Sequence, residues 1–423
     1  MENPRQRKKG RKAGGSKERG RSTKPVDNNH QAQTRTAVGS ARSPCTLCLV
    51  VFGAILGVLT AVLLILPCPA DPQENSFSDP RKLEGPLAPN TILSRTEHFV
   101  EGKVIGPESL VTYKGDLYTG TADGKVLRIR GEEVTLVGRT GAPPCGTYET
   151  EPTCGRPLGM RVDSLGNLYI ADAYLGLLKM NISTGEHETL IPMDVEVAGH
   201  KMMFPNDLAI DRDGVIYLSD SSLTWQRRDV FSLVMEMKPD GRVLRYDTKT
   251  KQVRQIMDGI TFANGVELSP DQSYLVVAET STARILKHHL RGEHAGRTDV
   301  LTDNLPGLPD NIRRSSRGGY WVGLAATRGT NGLNILDAVQ ARAWLKRLMF
   351  KVLPMNLVLL AAPRYGLIVE IDEAGAIVAS YHDPGAKSIA GGSEIHEHDG
   401  HLYIGSYFAR FIGKLSIEEL DRL

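Results

Sequence analysis

Short oxygen-bearing side chains recur in apolar surroundings at four widely spaced places in the sequence. The clearest is the pair Asp310-Asn311 in GLPDNIRR, where leucine and isoleucine flank a polar pair that would be ordinary in an exposed turn. Three single residues in IGPESLV, FPNDLAI and FANGVEL share this setting: Glu108, Asn206 and Asn264. Carboxylate and amide oxygens are the ligands of Ca²⁺, which takes roughly six to eight of them in irregular geometry. If these side chains met, they would form a calcium site.

Each of these residues has a simpler interpretation when it is taken alone. Asn264 precedes a glycine and could belong to a plain turn, Glu108 follows a proline and could cap a loop, and Asn206-Asp207 could form an Asx-turn. Magnesium is less suitable, because it requires a tighter octahedron, and no His/Cys set suggests zinc. Asp207 could also hold a second, deeper ion. The metal interpretation therefore depends on whether the fold brings the donors together.

A repeat in the sequence supplies elements that could bring them together. A turn followed by an apolar pair and small residues occurs six times, and its second apolar position gives the markers Tyr118, Tyr169, Tyr217, Val276, Trp321 and Tyr403. The intervals are 51, 48, 59, 45 and 82 residues, so all but the last match a four-stranded propeller blade. The donors precede their markers by 10 to 12 residues. Because equivalent positions of successive blades surround the channel, we predict an all-β six-bladed propeller with converging donors.

The repeat also sets the boundaries of the propeller. We predict that it covers residues 98–423 and that the segment near Phe99–Val104 adds a strand to the last blade. The long final interval contains 331–357, a predicted helical insertion with an amphipathic, basic pattern. This insertion could be a lid, rest on a lipid surface or pack on the propeller. The absence of βαβ alternation disfavours a parallel sheet, and a series of β-sandwiches is the alternative.

A basic tail and an apolar stretch precede the body. Residues 1–43 carry twelve Lys/Arg and three acids, and we predict a disordered cytosolic tail. The 21 uncharged residues of 46–66 predict a transmembrane signal-anchor helix over 44–67, followed by a luminal linker over 68–97. The upstream basic residues predict a single-pass type II protein of the endoplasmic reticulum or cell surface, with its body luminal or extracellular. A signal peptide cleaved near Ala70 is the alternative.

The body has the features of a protein in an oxidising compartment. Its only cysteines, Cys145 and Cys154, are nine positions apart and are expected to form a disulfide, with two free thiols as the alternative. Asn181 begins the sequon Asn-Ile-Ser and is a candidate glycosylation site. Outside the tail, 46 acidic residues exceed 39 basic ones, which argues against a nucleic-acid-binding body.

Several of these segments resemble a known family. GPESL, GTADGKV, CGRPLGMRV, NGVELSPD, PGLPDNIR and SEIHEHDGHLYIGS are similar to the strictosidine synthase-like proteins, a group of six-bladed calcium-dependent propellers that includes paraoxonases and gluconolactonases. The resemblance covers about residues 80–420, and the tail and anchor are similar to a membrane-bound type II member. It implies that Cys145–Cys154 is the family's disulfide. It also implies a channel-calcium ligand set: Glu108, Asn206, Asn264, Asp310 and Asn311.

Two departures from the family pattern limit the expected chemistry. Leu158 stands where paraoxonases place a catalytic histidine, and Ser393 stands where the plant synthases use a glutamate. We therefore do not expect strictosidine synthesis. We expect a calcium-dependent hydrolase of esters or lactones with arylesterase-like activity, in which the metal polarises the substrate carbonyl. Glu394 and His396, on one face of the sixth-blade strand, are the candidate catalytic bases, and a hydrogen-bonded hairpin is the alternative for His396.

A binding or adhesion module is the second functional hypothesis. Calcium would then be structural, and the channel mouth would recognise a protein or lipid partner. The missing histidine at Leu158 favours this hypothesis, whereas a metal ring with spare coordination favours an enzyme. In the enzyme hypothesis the partners are a small ester or lactone and, through the anchor, the lipid bilayer. We expect no nucleic-acid partner in either case.

Overall fold

The computed structural model describes residues 44–76, 78–330, 334–358 and 364–422. The tail predicted to be disordered, 1–43, lies outside these residues. The first helix, α1 (Pro44–Ile65), contains an uncharged window, Cys48–Ile65, and within the described residues it is the one helix whose length and composition suit a membrane span. The remainder of the described chain is built from β-sheet, as the repeat predicts.

Six four-stranded antiparallel sheets follow one another along the chain. The strands of the first three are β2 (Leu110–Tyr113), β3 (Asp116–Gly120), β4 (Lys125–Arg130), β5 (Glu133–Arg139), β6 (Pro157–Val162), β7 (Asn167–Asp172), β8 (Gly176–Asn181), β9 (His187–Ile191), β12 (Pro205–Ile210), β13 (Val215–Asp220), β14 (Gly241–Asp247) and β15 (Val253–Ile260). A two-stranded ribbon, β10 (Glu196–Val197) with β11 (His200–Lys201), separates the second and third.

The other three sheets complete the ring. Their strands are β16 (Ala263–Leu268), β17 (Tyr274–Glu279), β18 (Arg284–His289), β19 (Thr298–Thr302), β20 (Gly307–Arg314), β21 (Tyr320–Thr327), β22 (Gly366–Ile371), β23 (Ile377–Asp383), β24 (Glu394–His398), β25 (His401–Gly405), β26 (Ile412–Ser416) and the early strand β1 (Glu97–Phe99). All six sequence markers lie on the second strand of a sheet; five are buried, and the sixth, Tyr169, is half-buried. The six-bladed propeller is therefore confirmed.

The ring is closed by a strand from the beginning of the body. Strand β1 pairs antiparallel with β26, with Glu97 opposite Lys414 and Phe99 opposite Ile412. This strand lies slightly earlier than the predicted 99–104, because the backbone turns directly after it. Val100 has a φ of 50° and Gly102 a φ of 75°, which is the left-handed region that ends an extended strand.

Short helices lie between or beside the blades. They are α2 (Glu151–Cys154), α3 (Val230–Glu236), α4 (Ile335–Val339), α5 (Ala343–Val352) and α6 (Met355–Val358). The last three belong to the insertion between β21 and β22, where the long repeat interval occurs. Short 3₁₀ turns occupy Gly85–Leu87, Leu93–Arg95, Arg227–Asp229, Thr280–Thr282 and Ile417–Arg422.

The segment between the anchor and the propeller is attached to the body. Within residues 68–76, which we call the stem, the Asp71 amide donates to Glu236 Oε1 at 2.7 Å. Further along, Asn90 Nδ2 donates to the Ser380 carbonyl at 2.8 Å. The segment 68–97 therefore differs from a free linker, because hydrogen bonds to distant blades fix its course.

The two cysteines of the body form the predicted disulfide. Cys145 and Cys154 are bonded, with their Cα atoms 5.3 Å apart. The loop that they close carries Tyr148 and Glu151, whose side chains bond Asp229 and Arg227 respectively. The disulfide thus closes a loop whose Glu151 contacts Arg227, a residue that lines the cavity described next.

Candidate functional site

Four of the five predicted donors line one cavity of about 160 Å³. They come from four blades, and each is at most 5% exposed: Glu108, Asn206, Asn264 and Asp310. The fold therefore brings together side chains that are separated by as many as two hundred residues in the sequence. Their common distance from the blade markers reflects a common position at the entry of the innermost strand.

β-bulges lie at three of the donor positions and at the equivalent position of the second blade. The register of the innermost strand shifts between Pro205 and Leu208 and between Pro309 and Ile312, as it does at corresponding points of β6 and β16. A bulge removes two consecutive residues from the ladder and ends the strict alternation of side chains. The residues left unpaired are Leu158-Gly159, Asn206-Asp207, Asn264-Gly265 and Asp310-Asn311.

The second residue of each bulge lies against the next blade. A Cβ added to Gly265 would lie 2.6 Å from the Asn311 Cα, and one added to Gly159 would lie 2.5 Å from the Asp207 Cα. These approaches are closer than any side chain tolerates. The glycine after Asn264 is therefore required by blade-to-blade contact rather than by the plain turn that its sequence also allowed.

Asn311 differs from the other predicted donors because it is not among the residues lining the cavity. Its backbone N–H donates to the Ser393 carbonyl at 3.0 Å. Its side chain is buried, and neither of its polar side-chain atoms has a hydrogen-bond partner in the part of the chain that the structure describes. The structure thus places Asn311 behind the four converging donors, against the sixth blade.

The donor set combines two buried carboxylates with amide oxygens that lack hydrogen-bond partners. Asn264 Nδ2 donates to Asp310 Oδ1 at 2.8 Å, and among the described residues the buried Oδ1 atoms of Asn206 and Asn264 have no hydrogen-bond partner. Burial raises the pKa of Asp310 well above its ordinary value, and the charge of Glu108 raises it further. Burial likewise raises the pKa of Glu108, although the Arg156 guanidinium opposes this shift.

This chemistry fits a hard cation. Two carboxylates and two unpartnered amide oxygens converge, and a Ca²⁺ ion would leave further coordination positions for water or substrate. In the described part of the chain, no cluster of three or more His, Cys, Asp or Glu side chains is arranged to hold a metal. The donor set has only two such residues, so its fit depends on its amides.

Three further polar side chains lie around the cavity that the sequence reasoning missed. Arg156, only 1% exposed, donates to the Tyr407 carbonyl at 3.0 Å and lies 3.5 Å from Glu108 Oε2. Arg227 lines the cavity and binds Glu151 at 3.2 Å. Burial raises the pKa of Tyr407 to about 12. Of these three residues, Arg156 is the one that the sequence could have indicated, because it directly precedes the first strand of the second blade.

A buried charge network lies deeper in the channel. Arg313 Nη1 and Nη2 donate to the two carboxylate oxygens of Asp207 at 2.7 and 3.1 Å, and Nη2 lies 2.7 Å from Glu394 Oε2. Burial opposes ionisation of Asp207, but Arg313 and Arg161 hold its pKa below the ordinary value. Asp207 is therefore bonded to a guanidinium, rather than available for the second ion that its sequence position suggested.

Neither of the two predicted catalytic bases lines the cavity that contains the donors. Glu394 is fully buried beside Arg313, and its pKa is raised to about 7 by burial. His396 lines a different cavity, of about 580 Å³, and its Nε2 lies 2.7 Å from Thr112 Oγ1. Burial lowers the pKa of His396 to about 3. The two share a strand face, but two residues advance the chain by about 6.5 Å, which carries His396 toward the opposite end of the channel.

The two positions that depart from the family pattern are both buried. Leu158 lines the cavity, so an apolar side chain faces the donors at the position where paraoxonases have a histidine. Ser393 donates its hydroxyl to the Glu108 carbonyl at 3.2 Å. This bond connects the sixth blade to the first beside the donor set.

Comparisons with known proteins agree with the fold and the sequence motifs. Residues 206–293 match the model of the family described as strictosidine synthase, and residues 85–129 match strictosidine synthase-like, N-terminal. Among solved structures, a gluconolactonase from Xanthomonas campestris superposes with a TM-score of 0.52 at 16% identity, covering 83% of this chain and 99% of that one. This likeness shows a shared propeller fold.

Curated relatives give a closer match over most of the chain. The adipocyte plasma membrane-associated protein of Salmo salar is 45% identical over 87% of this chain and 89% of its own length. The Homo sapiens protein of the same name is 44% identical over 85% of this chain and 87% of its own. This chain therefore belongs to the adipocyte plasma membrane-associated protein family of strictosidine synthase-like propellers.

Proposed function

We propose that this protein is a membrane-anchored, calcium-dependent hydrolase of carboxylic esters or lactones. The observation that carries the proposal is the set of two carboxylates and two unpartnered amide oxygens that line one cavity, from Glu108, Asn206, Asn264 and Asp310. A Ca²⁺ ion held by this set would keep coordination positions that face the cavity. Such access supports a reaction centre, because a purely structural ion does not need it.

The remaining cavity wall is suited to the apolar part of an ester. Phe204, Phe231 and Phe262 line it together with aliphatic side chains, and Arg227 and Tyr407 add polar groups. An apolar wall with a few convergent polar groups is typical of small-molecule sites. We assign the binding of the acyl or alcohol part of the substrate to the aromatic wall, and its orientation to the polar groups.

Hydrolysis also needs a proton acceptor near the reacting carbonyl. Bound calcium supplies Lewis-acid chemistry that polarises this carbonyl. We assign proton acceptance from the attacking water to Asp310, because it faces the cavity, whereas His396 lines the other one. Glu108, Asp310 and the two asparagines would hold the ion, and the apolar wall would exclude bulk water from the site.

The proposal is tested by hydrolysis of phenyl acetate and of a simple lactone by the full-length protein in detergent. We expect a rate that disappears with EGTA, returns with Ca²⁺ and falls at least about 100-fold in Asn264→Ala, the size typical for loss of an electrostatic catalytic contact. Asn90→Ala, outside the cavity, is the matched control. A folded, calcium-loaded protein with no rate on either substrate would contradict the proposal and favour a binding module.

We further infer that the body faces the lumen or the cell exterior. The basic tail before the uncharged window supports this orientation, and the disulfide supports an oxidising compartment. Asn181 is exposed at the end of β8, as glycosylation requires. The expected result is a mobility shift on removal of N-glycans that Asn181→Gln abolishes. An unshifted wild-type protein expressed in animal cells would argue against this orientation.

A further inference from the structure

Helix α5 carries an exposed apolar stripe. Trp344, Leu348 and Val352 are 64%, 38% and 47% exposed and follow one another at intervals of four residues, so they share one helix face. Leu353 and Leu357 continue this surface beyond the helix, at 43% and 50% exposure. We call these five residues the α5 stripe. Large apolar residues that cluster in this way mark an interaction surface more often than scattered ones do.

The opposite face of α5 fixes the helix in this orientation. Lys346 is fully buried, and its Nζ donates to the Gln73 carbonyl of the stem at 2.8 Å. Phe350 is also buried and stacks on Trp225 at a ring distance of 6.4 Å. A lysine thus faces inward while a tryptophan faces outward, which is the reverse of the usual arrangement at a water-exposed surface.

The contacts between the stem and α5 indicate what covers the α5 stripe. The apolar window of α1 ends at Ile65, and Cys68 Sγ contacts the Arg347 carbonyl of α5 at 3.9 Å. Arg347 also pairs with Asp71 at 3.3 Å. Three residues of chain span at most about 10 Å. If α1 crosses a membrane, Cys68 is therefore within that distance of the point where the chain leaves the hydrocarbon, and α5, which contacts Cys68, lies close to the same point.

The same helices border the proposed catalytic cavity. Leu336 of α4 and Met355 and Val358 of α6 line it, on either side of α5 in the sequence. Val230 and Val234 of α3 line it as well. The apolar wall of the cavity and the exposed apolar stripe therefore belong to one small group of helices.

We propose that the α5 stripe lies in the lipid surface of the bilayer and that the cavity receives an ester or lactone dissolved in that bilayer. This inference rests on the proposed hydrolase function and deepens it by naming a substrate class, amphipathic esters with long apolar chains. Lys351 of α5, whose Nζ donates to the uncharged Leu63 carbonyl at 2.9 Å, provides positive charge that favours contact with anionic lipid headgroups, whereas the charge of Arg347 is paired with Asp71. A second copy of the chain would be the other possible cover for the stripe.

Lipid contact is tested first, because it needs no activity. The full-length protein is placed in nanodiscs whose acyl chains carry bromine, and tryptophan emission is compared with unbrominated discs. We expect quenching that is lost in Trp344→Phe and kept in Trp225→Phe, because Trp225 is half-buried and stacks on the buried face of α5 at Phe350, and Trp321 is fully buried. Equal quenching in wild type and Trp344→Phe, or none in either, would overturn the proposal; a dimer in which Trp344 is shielded would assign the stripe to a second copy.

Substrate delivery is tested with the double variant Leu348→Ser/Val352→Ser. Both side chains are exposed and outside the cavity lining, so folding stability should change little. We expect hydrolysis of a long-chain ester held in the nanodisc to fall at least about fivefold, whereas hydrolysis of phenyl acetate stays within about twofold. Leu136→Ser/Val300→Ser, with exposed side chains on the blades, is the matched control and should alter neither rate.

The hydrolase function and the delivery of substrate from the bilayer can be contradicted separately. If the wild-type protein hydrolyses neither ester but Trp344 is quenched, lipid contact stands and the hydrolase function is wrong. If phenyl acetate is hydrolysed but Trp344 is unquenched, the hydrolase function stands and delivery from the bilayer is wrong. Equal loss of both rates in the stripe variant would also contradict delivery, since it would indicate damage to the site itself.

Discussion

Arg313→Met is expected to lower the free energy of unfolding by about 3–5 kcal/mol, the cost of removing one partner from a buried ion pair. Arg313 bonds Asp207 at 2.7 and 3.1 Å and lies 2.7 Å from Glu394, so one substitution removes the nearest guanidinium from two buried carboxylates, and the more distant Arg161 remains 3.6 Å from Asp207. The loss should be smaller at low pH, where both carboxylates can be protonated. Urea unfolding followed through the buried Trp321 measures it.

Arg314→Met is the matched control for this variant, because Arg314 is the next residue of the same strand and is exposed. Its effect should stay within about 0.5 kcal/mol. The triple variant Asp207→Asn/Arg313→Met/Glu394→Gln should recover part of the stability lost in Arg313→Met, since no buried charge remains unpaired. An Arg313→Met protein as stable as the control would show that this network contributes nothing to the fold.

Without calcium, the protein is expected to lose stability as pH rises from about 5 to 8. Burial raises the pKa values of Asp310, Glu108 and Glu394, the last to about 7. A carboxyl group whose pKa is raised by folding contributes stability fully below its unfolded pKa of about 4.3, and this contribution is lost as pH rises through the folded pKa. Above that pH, like charges are buried together without an ion between them.

Calcium should reverse this loss most strongly at high pH. At a free concentration about 100 times Kd, binding adds about 2.7 kcal/mol, and protonation of the donors at pH 5 should reduce that gain. Thermal unfolding of the full-length protein at pH 5, 6, 7 and 8, with Ca²⁺, Mg²⁺ or EGTA, measures the effect. Magnesium should stabilise less, because the donor set is irregular and rich in amides.

The Asp310→Asn variant distinguishes the effect of the buried charge of this residue on stability from the effect of calcium binding. This variant should be more stable than the wild type at pH 8 in EGTA, because one buried negative charge is gone, and it should respond less to calcium. Ser380→Ala, far from the donors on β23, is a control that should keep the calcium response. A calcium response at pH 8 that is unchanged in Asp310→Asn would remove this residue from the proposed ligand set.

The sequence determined the propeller because its signals are local. Each blade repeats a turn and an apolar second strand, and a marker such as Tyr118 or Tyr217 reports a position that every blade needs for packing against its neighbours. The donors Asn206 and Asp310 were found through their fixed distance from these markers. Equivalent blade positions converge by symmetry, so this part of the candidate site followed from spacing alone.

The bulges explain why spacing from the blade markers could not identify every residue of the site. Asp310 and Asn311 are neighbours, and the sequence predicts both as metal ligands. Only Asp310 lines the cavity, because the bulge in β20 directs consecutive side chains to different surroundings. A register shift depends on the backbone of the facing strand, which no local pattern encodes. Glu394 and His396 were predicted as catalytic bases because they share a strand face, but the advance of about 6.5 Å between them along the strand takes His396 to a different cavity.

The amino-acid sequence by itself determined the repeat, the apolar anchor window, the disulfide pair and the slots from which donors could converge, because each depends on nearby residues or on a fixed period. Only the tertiary structure decided that Arg313 neutralises Asp207, that Arg156 and Arg227 approach the cavity and that the stem fixes α5 with its apolar stripe outward. These features join segments up to 273 residues apart. Such contacts depend on how the blades, the insertion and the stem pack together. Packing between segments so far apart produces no periodic pattern in the amino-acid sequence.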